Sequence, residues 1–378
     1  MTPIRLFLCG DVMTGRGIDQ ILPHPCNPVL YEPAVRDARL YVALAEQMHG
    51  PIPRPVDFAY IWGDALAVLE QAQPDLGIVN LETSITTFEQ PWPDKEIHYR
   101  MHPKNVPCLT VARIDCCVLA NNHVLDWGYS GLLETLQTLD EVGLAHAGAG
   151  ANLTQAQAPA ILPVPGRGRV LVFGLGSTTS GIPREWAAAD DRPGVYLLPD
   201  LSEATAQRLA QVMFAYKRPG DIIVASIHWG ANWGYDIPDQ QIRFAHCLVD
   251  AGVDIVHGHS SHHVKGIEVY HDKLILYGCG DFLNDYEGIG GYSWYRGDLV
   301  VMYLADVNPD TGELLELRLI PFQSRRLRLT RASPEDVRWL ARQLNELGNS
   351  LGTWVELPDE HHLSLRWRST KTFQPMQQ

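Results

Sequence analysis

No stretch of this chain approaches the roughly 18 uninterrupted apolar residues that a membrane-spanning helix needs, so no span is expected. The opening run from Ile4 to Cys9 is too short, and too soon followed by Gly10-Asp11, for the apolar core of a signal peptide. With no address, the chain is expected to be soluble and cytoplasmic. Basic blocks are equally missing: 30 Lys and Arg face 44 Asp and Glu, a net charge of −14. That balance excludes a duplex-binding footprint and adhesion to an anionic membrane surface, so no nucleic-acid partner is expected. Cysteine is sparse, seven residues with only Cys116 and Cys117 adjacent, and Cys9, Cys116 and Cys117 lie in apolar runs. Buried thiols are expected, not a disulfide framework or a thiolate metal site. Internal repeats and low-complexity tracts are absent too. What remains is 378 residues with 46% hydrophobic and 20% charged side chains, which describes an ordinary buried core.

Short runs rich in Val, Ile and Leu recur along the chain: Ile4 to Cys9, Leu76 to Leu81, Cys116 to Ala120, Val170 to Leu175, Ile222 to Ile227, Val253 to His257 and Leu274 to Tyr277. Near-continuous apolar runs are how strands covered on both faces look. Between them, amphipathic spacing predicts helices over Ile61 to Gln73, Leu132 to Val142 and Asp239 to Ala251, stopped by Pro74, Gly143 and Gly252. From Leu299 to Leu329 the pattern alternates, as in strands with one wet face, and a closing helix starts at Ser333-Pro334 and ends near Gly348. The alternation of strand and helix predicts a layered α/β domain. One catalytic domain over 1–330, with a C-terminal helix and tail over 331–378, is expected. The loop from Ile21 to Pro33 and the Pro-rich stretch from Pro51 to Pro55 suit a long surface insertion.

In open α/β sheets the ligand site forms outside the carboxyl ends of the strands. Five predicted strands end in groups able to hold a metal: Gly10-Asp11, Asn80-Leu81-Glu82, Asn121-Asn122-His123, His228-Trp229-Gly230, and the run from His257 to His263. Carboxylate, amide oxygen and imidazole together suit a divalent ion such as Mn²⁺, Zn²⁺ or Fe²⁺.

These motifs, in their order, resemble the calcineurin-like metallophosphoesterase superfamily, and within it the CapA-type proteins of poly-γ-glutamate capsule biosynthesis. The resemblance rests on Gly10-Asp11-Val12-Met13, Val79-Asn80-Leu81-Glu82-Thr83 and the segment from Ala120 to Gly128. It continues through His228-Trp229-Gly230, Ala251 to His259 and Tyr277-Gly278-Cys279-Gly280-Asp281-Phe282. It implies a four-layer α/β/β/α sandwich of the metallophosphoesterase type. It also implies that Asp11 binds a first metal ion, that Glu82 bridges to a second, and that Asn122, His228 and His259 hold the second. His262 returns to the first ion in this reading, with His263 as the alternative. His123 takes the place of the superfamily's catalytic histidine, set to stabilise or protonate a leaving oxygen. The chain departs from the superfamily in three places. Met13 stands where a metal-binding His is expected, Glu82 replaces an Asp, and the closing histidines are one residue further apart. One ion or two are therefore both compatible with the sequence.

Other residues admit two readings each. Arg16 suits either a contact to an anionic substrate or a surface ion pair. Asp126, three beyond His123, suits either orienting that imidazole or capping the turn before Gly128. Trp229 and Trp233 are placed to wall the cleft or to pack, and Gly174 to Thr179 to form a loop at its mouth. Asp281 suits a partner for a metal-bound histidine. The expected function is a metal-dependent hydrolase acting on a phosphoester or a related small anionic substrate. The alternatives are a capsule or polyglutamate assembly protein that binds without cleaving, and amide chemistry on a glutamyl substrate.

Overall fold

The structure is a computed structural model, and it describes residues 2–368. Its principal strands are β1 (Ile4–Val12), β2 (Leu76–Leu81), β3 (Cys116–Val118), β4 (Ala145–Ala147), β5 (Arg169–Ser177), β6 (Asp221–His228), β7 (Ile255–His259), β8 (Lys273–Leu276), β9 (Asp281–Leu283), β10 (Leu299–Val307), β11 (Leu314–Ser324), β12 (Thr353–Glu356) and β13 (Leu363–Trp367). Its principal helices are α1 (Arg16–Ile21), α2 (Arg39–His49), α3 (Asp64–Ala72), α4 (Gly128–Glu141), α5 (Glu203–Phe214), α6 (Asp239–Asp250) and α7 (Pro334–Gly348). The α/β class expected from the alternation is what forms. Among the described residues no helix is long and apolar enough to cross a membrane.

The first large sheet runs β12-β13-β11-β10-β1-β2-β3-β4, with β9 pairing against β1, and the second is built around β5, β6, β7 and β8. Strand residues alternate between faces, and that alternation partitions the core. Phe7 and Cys9 of β1 pack with Ile18, Val42, Ala65 and Leu132 of the helices on one side. Leu6 and Leu8 point the other way and pack with Val170, Val172, Ile222 and Val224 of the second sheet. The far face of that sheet, with Phe173 and Ile223, is covered by Leu209 and Met213 of α5 and Phe244 and Leu248 of α6. Apolar clusters therefore cover both faces of both large sheets.

Local signals explain the boundaries. Helix α3 stops at Ala72 because Gln73 turns left-handed at φ +48° before Pro74. Helix α7 starts with Pro334 in its first turn and with the Ser333 side chain accepting the Asp336 N–H. Beyond α7 the anticipated tail returns as β12 and β13, of which β13 pairs antiparallel with β11. Residues 369–378 of that tail, and Met1, lie outside the described residues. The insertion at Ile21–Pro33 is not all surface, since Glu32 is buried. Nor is Gly174 to Thr179 a loop throughout: Gly174 and Gly176 lie inside β5, where a Cβ on Gly174 would fall 2.7 Å from the Ala147 carbonyl oxygen. Those glycines let the two sheets approach.

Gly10 does the same at the end of β1. A Cβ there would sit 1.7 Å from the Gly280 carbonyl oxygen, so Gly10→Ala is expected to destabilise the chain by roughly 3 kcal/mol or more. Ser333→Ala, which removes a single cap bond, should cost about 1 kcal/mol. Urea melts of the two variants check this order.

Candidate metal centre

Strand register builds the site. At its carboxyl end β1 lies parallel to β2 on one side and β9 on the other, which sets Asp11 level with both Asn80 and Asp281. In the second sheet β6 and β7 are parallel with His228 level with His259. The two sheets bring these ends together. Among the described residues, ligand atoms of Asp11, His228 and His259 lie within 4.8 Å of one another, and so do those of Asp11, His262 and Asp281.

Asp11 accepts from Asn80 Nδ2 at 2.7 Å through Oδ1, which lies 4.0 Å from His228 Nδ1 and 3.9 Å from His259 Nδ1. Glu82 Oε1 lies 3.8 Å from His228 Nε2 and 4.0 Å from His123 Nε2. The Asn122 amide oxygen is 3.0 Å from His228 Nε2, and the two Nδ1 atoms of His228 and His259 are 2.8 Å apart. Burial, with Asp281 adding to it, pushes the Asp11 carboxyl up to about 7. Burial followed by Asp11 and Asp281 also raises Glu82, and burial lowers His228 and His259. Asp11 Oδ2 and Glu82 Oε2 are buried with no hydrogen-bond partner. Neutral imidazoles beside two buried carboxylates that each keep one oxygen without a hydrogen bond are the donor set of a divalent cation, so the residues present fit one.

A chain of bonds orients His259. His257 Nε2 is 2.8 Å from the Cys9 carbonyl oxygen, which only accepts, so that nitrogen carries the proton and Nδ1 is the acceptor. Ser226 Oγ, 3.0 Å from His257 Nδ1, therefore donates to it and accepts from His259 Nε2, also at 3.0 Å. The lone pair of His259 is left on Nδ1, the atom that faces Asp11.

His262, not His263, joins the Asp11 side. Its Nδ1 is 2.9 Å from Asp281 Oδ1, and although burial opposes the charge, the Asp281 carboxylate prevails and raises its pKa. His263 instead stacks on Tyr295 and donates to or accepts from no member of the cluster described above. His123 has its Nδ1 2.7 Å from Asp126 Oδ2, which also accepts the Tyr99 N–H at 2.6 Å. Asp126 thus meets the imidazole and does not cap the turn, since α4 begins at Gly128 without a side-chain cap. The Tyr99 ring stacks on His123 with centroids 3.8 Å apart. Lys95, which the sequence did not single out, sits 2.6 Å from Asp126 Oδ1 and 3.1 Å from His123 Nδ1.

Arg16 is neither on the surface nor free. Its guanidinium bonds Asp285 and Glu32 and the Tyr41 hydroxyl, and it is only 4% exposed. The surface ion pair is corrected to a buried one, and the donors foreseen for an anionic substrate are taken by the protein itself. Trp229 is packing, buried with its indole N–H on the Tyr277 carbonyl, whereas half-buried Trp233 stands beside His262.

Residues 5–286 match the bacterial capsule synthesis protein family PGA_cap. The chain belongs to that family. Every group of the PGA_cap centre described above, from Asp11 to Asp281, lies inside the matched residues. The chain is also 48% identical over 353 residues, 93% of either chain, to proteins of Mycobacterium tuberculosis described as a "probable polyglutamine synthesis accessory protein". It is 33% identical over 212 residues to the PGA biosynthesis protein CapA of Bacillus subtilis, covering 56% of this chain and 52% of that one. With the capsule biosynthesis protein CapA of Bacillus anthracis the identity is 29% over 192 residues, 51% and 45% of the two chains.

Two outcomes test the centre. Ser226→Ala frees the His259 tautomer, and divalent-metal affinity measured by calorimetry should fall about 10-fold or more; an unchanged affinity would sink the tautomer assignment. In the metal-free protein, native Asp11 holds its proton up to about pH 7, while the unfolded chain releases it near its ordinary value of 3.8. At this group the native state then binds more protons across that window, so the contribution of Asp11 to stability falls as pH rises from about 4 to 7. Thermal melts should show it as a difference: the stability of the parent relative to Asp11→Asn should fall across that window.

Proposed function

We propose that this PGA_cap protein is a metal-dependent hydrolase of the metallophosphoesterase type, acting on a phosphoester or a related anionic substrate in polyglutamate or capsule synthesis. The observation that carries the reading is the juxtaposition of His228 and His259 with Asp11, and of His228 with Glu82, two buried carboxylates that each keep one oxygen without a hydrogen bond, next to a His123 bonded by Asp126. The apolar clusters on both faces of both sheets support a four-layer α/β/β/α sandwich.

Asp11, Glu82, Asn122, His228, His259 and His262 would hold one or two ions of Mn²⁺, Zn²⁺ or Fe²⁺. When bound, such ions polarise a phosphoryl oxygen and activate water. The chain's own residues do the rest. Asp126 holds Nδ1 of His123, so Nε2 faces Glu82 and the site, the position from which it would pass a proton to a leaving oxygen. Tyr99 and Lys95 keep the ring from turning: one stacks on its face, and the other bonds the carboxylate that holds it.

The names of the relatives favour a second reading, in which the site handles a polyglutamate chain during assembly without cleaving it. The two readings separate on one experiment. Metal-loaded protein should release phosphate or an aryl alcohol from aryl phosphates, and His123→Ala should lower that rate by about 10² to 10⁴ while metal content stays unchanged. Full turnover in His123→Ala removes the role assigned to it. No turnover in the parent, with metal-dependent binding of poly-γ-glutamate, establishes the assembly reading.

A further inference from the structure

On the Asp11 side the expected imidazole is missing. Met13 is 1% exposed, and its sulfur accepts the Gly15 N–H at 3.2 Å. A carboxylate arrives from a different strand instead. Because β1 and β9 are parallel and in register, Asp281 stands beside Asp11, and neighbouring residues in register project from the same face of a sheet. Asp281 is 2% exposed. Its Oδ1 meets His262 Nδ1 at 2.9 Å, and its Oδ2 accepts from Asn284 Nδ2 at 3.0 Å.

Asp11 and Asp281 thus bring two buried carboxylates within 4.8 Å of one another and of His262, and buried Glu82, whose N–H bonds the Val12 carbonyl, adds a third nearby. Among the described residues, the side chains that bond Asp281 are His262 and Asn284. Like charges this close are tolerated only when protonated or bridged by a cation. Asp11 Oδ2 and Glu82 Oε2, buried and without donors, are the oxygens such a cation would meet.

We propose that Asp281 is a direct ligand of the first ion, its carboxylate replacing the imidazole lost at Met13. The first site is then Asp11, Glu82, His262 and Asp281, and the second is Asn122, His228 and His259 with Glu82 shared. This rests on the metal-centre reading given under Proposed function. It also divides the two sites chemically. Three carboxylates and one imidazole make the first site the harder one, suited to Mn²⁺ or Fe²⁺, while the imidazole-rich second site suits Zn²⁺ equally well.

The test is equilibrium dialysis of the metal-free full chain against Mn²⁺, with elemental analysis and electron paramagnetic resonance. The parent should take up about two equivalents with an exchange-coupled spectrum. Asp281→Ala should take up about one, with the six-line spectrum of an isolated ion, and Met13→His in that background should restore the second. A group that merely oriented His262 would not be replaced by a histidine on another strand. Melts of the metal-free variants report on folding, and the isosteric Asp281→Asn should weaken the ion of the first site by more than about 100-fold, beyond the usual effect of losing an orienting partner. Two equivalents retained in Asp281→Ala, or no restoration by Met13→His, overturns the proposal. One equivalent in the parent that His259→Ala removes and Asp281→Ala does not also overturns it, while leaving the metal-centre reading intact. A parent that binds no ion overturns that reading itself.

Discussion

Asp11 is fully buried at the end of β1, with Asn80 level with it on one neighbouring strand and Asp281 on the other. A carboxylate so placed cannot keep its charge unless something donates to it or a cation meets it. Asn80 satisfies one oxygen and leaves the other bare. The surrounding structure is arranged around that deficit. Gly10 is the residue that lets β1 and the Gly280 backbone close to contact distance, and the Asp11 N–H bonds the Gly280 carbonyl at 3.1 Å. The neighbouring Cys9 carbonyl reaches across to His257 and so ties the first sheet to the second through the chain of bonds that orients His259.

On the other side of the cleft the balance is of a different kind. His123 is buried, and burial together with Lys95 disfavours its charged form. Asp126 favours that form, although burial pushes its own carboxyl up to about 6. Lys95 lies against both partners, and so sets how firmly the pair holds a proton. Arg16 has a structural part: its ion pairs to Glu32 and Asp285 fasten the 22–38 segment against the loop after β9, with its guanidinium over the Tyr41 ring at 3.8 Å and the Tyr99 ring at 4.8 Å. Tyr99 in turn stacks on His123, so the buried ion pairs bear on the ring that would do the chemistry.

Much of this was legible in the residues. Runs such as Leu76 to Leu81 and Ile222 to Ile227 could only be buried strands, and the Ser333-Pro334 start of α7 carries its own cap. Polar groups ending apolar runs pointed to Asp11, Glu82, His228 and His259 because side chains at strand ends escape the sheet and face a shared edge. Lys95 carried no such mark. It stands in an irregular stretch after Pro91 and Pro93, and only the folding of that stretch over Asp126 makes it part of the site. Helix α2 and the strands β12 and β13 were likewise missed, since short segments take their state from the surface they pack on and not from their own pattern.

Sequence alone pointed to most of the side chains that line the proposed metal centre, because periodicity and strand ends are properties of neighbours along the chain. Tertiary structure alone decided which of them meet. The choice of His262 over His263 and the capture of Arg16 by Glu32 and Asp285 depend on how loops fold over the sheet ends, and the tautomer of His259 and the pairing of Asp281 with Asp11 on register between strands far apart in sequence. Register is set by packing across the sheet and leaves no local trace in the chain.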